Sequence, residues 1–225
     1  MPQVRVIKIE FDTVLKPHEV PAFRGAVIQL VGRERTVFHN HLGDDRYHYA
    51  YPVVQYKSQR GKAGIVCVQD GTEEIHHFFT RNEGGIRIGS QARPLFVENV
   101  RINRFPVEVT SEDHAYQLEQ WLALNEKNYA VYRGLEGIAE KLAFLERVLV
   151  GNLLSFAKGV HWTVTDPIRV RITGFPQERW VRHKGIRLLA LDVDFSCNVL
   201  LPSDIGLGKG ASVGFGTLIS KKNKR

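Results

Sequence analysis

The first 110 residues change hydrophobic period in an order that few folds can accommodate. Val4, Val6, Ile7, Ile9 and Phe11 mostly alternate, as in a half-buried strand, before Lys16-Pro17-His18 breaks the run. Between Pro21 and Val31, Phe23, Val27, Leu30 and Val31 follow at spacings of four, three and one, and Gly32 stands where a helix would stop. Tyr47 to Tyr56 is β-prone, Lys57 to Lys62 reads as a polar turn, and Ala63 to Val68 reads as a second buried strand, so the three form a hairpin. Asp70-Gly-Thr-Glu-Glu then introduces Ile75, Phe78 and Phe79 at helical spacing, and Pro94 to Val109 returns to strand character. The order β-α-β-β-α-β predicts a ferredoxin-like unit over 1–110: four antiparallel strands, both helices on one face, the other face open to a partner.

The pattern restarts near residue 110. Tyr116, Leu118 and Trp121 point to a strand, and Ile138, Leu142, Leu145, Leu149, Leu153 and Phe156 form the apolar stripe of a long helix, with Glu140, Lys141, Glu146 and Arg147 on its wet face. Residues 168–172, 179–183 and 186–199 follow as strands, then a glycine-rich loop, a last strand over 217–220 and a basic tail. Over 111–225 the simplest account is a second, degenerate ferredoxin-like half. The fold class expected is therefore α+β, two tandem ferredoxin-like halves with antiparallel sheets. The duplication rests on element order, because the halves share no sequence repeat.

A hydrophobic fraction of 43% with 24% charged residues in 225 residues argues against disorder. The most apolar long run, Phe144 to Val160, contains Glu146, Arg147 and Lys158, which argues against a membrane role. Cys67 and Cys197 lie in strand-like runs and the amino terminus has no apolar leader core, so a reduced, cytoplasmic protein is expected. The net charge of +7 suits a polyanionic partner. Its distribution is uneven: Lys158 to Arg187 holds seven Lys/Arg against two Asp/Glu, with Trp162, Phe175 and Trp180 interleaved. Cations separated by aromatics suit RNA, whose phosphates seek charge and whose exposed bases stack on rings. Lys158, Arg169, Arg171, Arg179, Arg182 and Lys184 are the candidate contacts there. The competing reading makes Trp162 and Trp180 core residues and the arginines a solvated strand face.

Gly206-Leu-Gly208-Lys-Gly-Ala-Ser-Val-Gly214-Phe-Gly216 pairs two Gly-apolar-Gly elements across five residues. It lacks the spacing of a P-loop, and a strand rather than a helix follows. Its amides could form an anion nest, with Lys209 adding charge and Ser212 a donor; a tight structural turn is the alternative. This loop, after two ferredoxin-like halves in a basic chain, resembles the RAMP superfamily of CRISPR-associated proteins, and within it the endoribonucleases that process CRISPR repeat RNA. Ala22-Phe-Arg-Gly-Ala, Phe38-His-Asn-His-Leu, Tyr51-Pro-Val-Val-Gln-Tyr-Lys57 and Asn152-Leu-Leu-Ser-Phe-Ala-Lys158 are similar to one subgroup of those nucleases. The resemblance implies an RRM-like fold, precursor CRISPR RNA as partner, no metal and no cofactor. It leaves open a homodimer and association with effector-complex subunits. It also implies a reaction in which the ribose 2′-OH attacks the adjacent phosphate, leaving a 2′,3′-cyclic phosphate and a 5′-OH.

That reaction needs a base, an acid and a cation, and imidazole serves the first two near neutral pH. His39 and His41 lie two apart directly after the first helix, and in the resembled subgroup a histidine pair at this place is associated with cleavage. Asp44, Asp45 and His48 nearby keep a metal-site reading of the same loop open. The family often adds a tyrosine and a basic residue, for which Tyr47, Lys57, Arg33 and Arg35 are the nearest candidates, with Tyr47 the catalytic choice. The basic residues and Gly206, Gly208, Lys209, Ser212, Gly214 and Gly216 form the expected RNA-contacting set. A non-catalytic RNA-binding RAMP subunit is the alternative function.

Overall fold

The computed structural model describes residues 2–39, 41–42, 46–47 and 50–221; the side chains of 41, 42, 46 and 47 lie outside the described part. The chain forms two compact units, Gln3–Phe105 with Ser212–Gly214, and Pro106–Ala211 with the segment from Phe215 onward.

In the first unit, β1 (Gln3–Val14) leads to α1 (Val20–Val31) and then to the two-residue ladder of β2 (His41–Leu42) and β3 (Arg46–Tyr47). β4 (Val54–Gln59) and β5 (Lys62–Val68) follow, then the single helical turns α2 (Gly71–Glu74) and α3 (His76–Phe79). A hairpin of β6 (Gly85–Ile88) and β7 (Gln91–Pro94) precedes β8 (Val97–Pro106). The sheet order β4-β5-β1-β8 is the ferredoxin-like order, with every ladder given by register antiparallel. Its core is aromatic: Phe11 meets Phe23 and Phe78, and Phe23 meets Tyr56, edge to face at centroid separations of 5.5–6.1 Å. Such pairs add about 0.5–1.5 kcal/mol each beyond their buried area.

One expected boundary is corrected here. The polar run at Lys57 is strand, not turn, and the turn is Arg60-Gly61, where both φ angles are positive (51° and 78°), as a two-residue hairpin requires. Lys57 is 2% exposed and lies inside β4, so it offers no surface cation to an RNA backbone. Nor do residues 47–56 form one strand. Tyr51 is buried outside any strand, its hydroxyl accepting from the Gln55 amide at 2.8 Å, while His48 and Tyr49 lie outside the described residues.

The second unit runs β9 (Val109–Trp121), α4 (Glu126–Gly134), α5 (Ile138–Gly159), β10 (Val170–Ile172), β11 (Gln177–His183), β12 (Ile186–Val199) and β13 (Thr217–Ser220). Its sheet order is β10-β12-β9-β13 with β11 also on β12, the same order built around one long helix. Leu145, Leu149, Leu153 and Phe156 bury the stripe of α5, whereas Ile138 at its start is exposed. Where a second helix would stand, the chain between β12 and β13 forms the glycine-rich loop. Buried Asn198 fastens the preceding segment: its Oδ1 accepts from Arg169 N–H at 2.7 Å and its Nδ2 donates to the Pro167 carbonyl at 3.1 Å. No described helix is long and apolar enough to cross a membrane.

Candidate functional site

The histidine turn is built where α1 stops. Gly32, at φ +96°, ends the helix with its N–H on the Ile28 carbonyl, and Arg81 donates to the carbonyls of Leu30 (3.4 Å) and Val31. A 3-10 turn over Thr36–Phe38 follows and is pinned from both sides. Phe38 is buried, the Tyr56 hydroxyl donates to its carbonyl at 3.2 Å, and Arg24 Nη2 donates to the His39 carbonyl at 2.7 Å. Burial pulls the Arg24 guanidinium down and pushes the Tyr56 and Tyr51 hydroxyls up, so both phenols stay neutral and serve as packing and hydrogen-bonding groups.

The His39 ring turns back on the same turn: Nε2 lies 2.7 Å from the Arg33 carbonyl. A carbonyl only accepts, so Nε2 carries the hydrogen and the neutral ring has its lone pair on Nδ1. Arg33 is exposed and Arg35 half-buried beside it. The backbone ladder sets His41 opposite Tyr47, the two other catalytic candidates, while their side chains lie outside the described residues. Asn40, Asp44 and Asp45 are likewise outside it. Among the described residues no three His, Cys, Asp or Glu side chains converge as a metal site.

The glycine loop is closed rather than open. Gly216, at φ +61°, would put a Cβ 2.0 Å from the Leu207 carbonyl oxygen, and Gly208, at φ +84°, would drive one to 2.8 Å from Trp121 Nε1 and 2.9 Å from Asn152 Oδ1. Those two side-chain atoms are themselves joined by a 2.8 Å hydrogen bond under the loop. A Cβ at Gly206 would meet that of Ala211 at 2.8 Å. The amides of Leu207, Phe215 and Gly216 donate to the carbonyls of Gly216, Gly210 and Gln120, which leaves no open nest at those positions. Lys209 is the exposed charge of the loop; Ser212 and Gly214 are half-buried and group with the first unit.

The hairpin of β11 and β12 gathers the cations of the second unit. Arg182 stands opposite Arg187 in the register, Lys184-Gly185 forms the turn, and the Arg187 guanidinium stacks over Trp180 at 4.9 Å. Trp180 is 50% exposed, whereas Trp162 is buried, so the two tryptophans divide between the surface and core readings. Burial first, then Lys184 and Lys209, hold His183 below the ordinary imidazole range, which places those lysines at the same end. Arg179 pairs with Asp192 and Arg169 with Asp113, so both are partly neutralised, while Arg171 is exposed on β10. Lys158 lines an open cleft of about 330 Å³ with His161 and Trp162. The stacked Trp180–Arg187 pair escapes sequence reading because nothing in its spacing announces the cross-strand register.

Tandem ferredoxin-like units, the second with a glycine loop in place of a helix, define the RAMP class of fold. The sequence profile of the Cas6b N-terminal domain matches residues 2–105 and that of the Cas6b C-terminal domain matches residues 108–221. The chain belongs to the Cas6b family. A crystal structure of Cas6b superposes with a TM-score of 0.88 at 25% identity, covering 98% of this chain and 100% of that one. A second, described as the CRISPR RNA processing endoribonuclease Cas6b, gives 0.74 at 22% identity over 98% and 100%. An uncharacterized protein of Methanocaldococcus jannaschii is 34% identical over 102 residues, 45% of this chain and 68% of its own.

Proposed function

We propose that the chain is a metal-independent endoribonuclease that cuts CRISPR repeat RNA within its precursor. Membership of the Cas6b family over both units carries this reading, and the local geometry supports it. A base takes the 2′-OH proton, O2′ attacks phosphorus, the P–O5′ bond breaks and an acid protonates O5′. His39, with its tautomer set by the Arg33 carbonyl, has the lone pair a base needs on Nδ1. His41 is then the acid, and Tyr47 and Arg33 contact the reacting phosphate. The hairpin cations Arg182, Lys184 and Arg187, with Lys209, hold the RNA backbone, and Trp180 offers a ring to an unpaired base.

The test is cleavage of repeat RNA in EDTA, with product ends identified. Cyclic-phosphate products, and a block by 2′-deoxy substitution at the cut, are expected; a Mg²⁺ requirement or 3′-OH products would overturn the mechanism. A second reading, a non-catalytic RNA-binding subunit of an effector complex, draws on the engagement of His39 with the Arg33 carbonyl. It requires that the double variant His39→Ala, His41→Ala alter neither cleavage nor affinity.

A further inference from the structure

Beside the histidine turn lies a second pair of histidines with no role in the scheme above. The segment 71–79 is two separate helical turns, and the break between them sets His76 and His77 side by side, ring centroids 3.9 Å apart. His76 is braced, its Nδ1 2.6 Å from the Glu73 carbonyl. His77 is 19% exposed, with Nε2 3.7 Å from the Glu74 carboxylate. Arg35 leads into the Thr36–Phe38 turn, and its Nε–H is buried with no acceptor among the described residues. A desolvated guanidinium N–H without an acceptor is a standing cost that an arriving anion removes. Arg81, which caps α1, lies close by, its charge shared with the Glu34 carboxylate 3.9 Å away.

We propose that Arg35 and His77 form an anion subsite beside the histidine turn, which holds an RNA backbone phosphate next to the one that is cut. This rests on the nuclease reading. Burial, then Arg35, His76 and Arg81, outweigh Glu74 and hold the His77 ring below the ordinary imidazole range before RNA arrives. A phosphate reverses that balance, so His77 takes up a proton on binding and the complex tightens as pH falls. Arg35 supplies the fixed charge and His77 the titrating one, and both are positioning residues.

The experiment uses the full chain and repeat RNA made uncleavable by 2′-deoxy substitution at the cut, with affinity measured from pH 8 to 6 at several salt concentrations. Arg35→Gln should weaken binding about tenfold and reduce the salt slope by about one. His77→Gln should flatten the pH dependence, and Arg35→Gln should move it to higher pH, since the Arg35 charge disfavours protonation of the His77 ring. A His77→Gln protein that binds with wild-type affinity and wild-type pH dependence overturns the subsite. Should that variant not fold, an unchanged affinity and pH profile in Arg35→Gln overturns it instead. A pH-linked affinity that His77→Gln flattens and Arg35→Gln shifts, in a wild type that cuts nothing, supports the subsite and sinks the nuclease reading. Cleavage by a wild type whose variants bind normally does the reverse.

Discussion

Alanine in place of Gly216 and of Gly151 is the same chemical change with opposite expected signs. At Gly216, φ is +61° and the added Cβ would stand 2.0 Å from the Leu207 carbonyl oxygen. The left-handed conformation costs a residue with a Cβ about 1–2 kcal/mol. The clashing oxygen is backbone and cannot swing aside, so relief means moving Leu207 and loosening its 2.8 Å N–H bond to the Gly216 carbonyl. That loss adds about 1 kcal/mol or more. Gly216→Ala should therefore destabilise the second unit by about 3 kcal/mol. Gly151 lies on the exposed side of α5 with nothing within 4 Å of an added Cβ. Alanine there should stabilise by about 0.5–1 kcal/mol. Trp121, Trp162 and Trp180, all the tryptophans of the chain, lie in the second unit, so urea unfolding followed by tryptophan fluorescence reads that unit alone. The midpoint should fall for one variant and rise for the other at unchanged m-value. A Gly216→Ala protein within about 0.5 kcal/mol of wild type would falsify the packing argument.

His39→Gln should slow single-turnover cleavage by about 10²–10⁴ and leave the affinity for 2′-deoxy RNA within about twofold, as for a residue acting in the transition state. Arg182→Ala and Lys209→Ala should each weaken RNA binding and reduce its salt slope by about one, and an unchanged slope in salt titrations would remove these residues from the backbone contact set. Glu19 is held at about 2, below its ordinary 4.5, chiefly by its hydrogen bond with Arg93. Because the folded-state value is depressed, its contribution is complete above about 4.5 and is lost as pH falls toward 2. Arg93→Gln should accordingly show a shallower loss of stability than wild type across that window in acid titration. Cys67 and Cys197 are buried, and burial pushes the Cys197 thiol up to about 12 and Cys67 higher still. A thiol reagent at pH 8 should label neither in the folded protein and both in urea.

Period and breakers sufficed for the elements that bury a regular face. The stripe of α5 and the alternation of β1 and β12 are legible because each must hide one side of a regular backbone. Short or polar elements were not legible: α4 with mixed polarity, the β6–β7 hairpin of ten residues, and Lys57, whose polarity suggested a turn while its neighbours Tyr56 and Gln55 were going into the core. At the site, His39 and the two arginines are visible as residues that follow a helix stop, while the role expected of them comes from the family resemblance. His77 does not, because its proximity to Arg35 is created by tertiary packing between positions some 40 residues apart. The glycine loop was legible as unusual, but the reason was not. Its glycines answer to carbonyls and rings inside the protein, which a string of letters cannot display.

The closed state of that loop also sets rules for engineering. A surface connection normally tolerates extra residues, but here amides and carbonyls on both limbs are matched to one another and to β9, so one inserted residue would put donors and acceptors out of step along its length. The site to accept a fluorophore tag or epitope is the Gly89-Ser90 tip of the β6–β7 hairpin, exposed and with open space around Gly89. A glycine-rich stretch is often the first place chosen for such a graft; in this protein it is the place to leave alone.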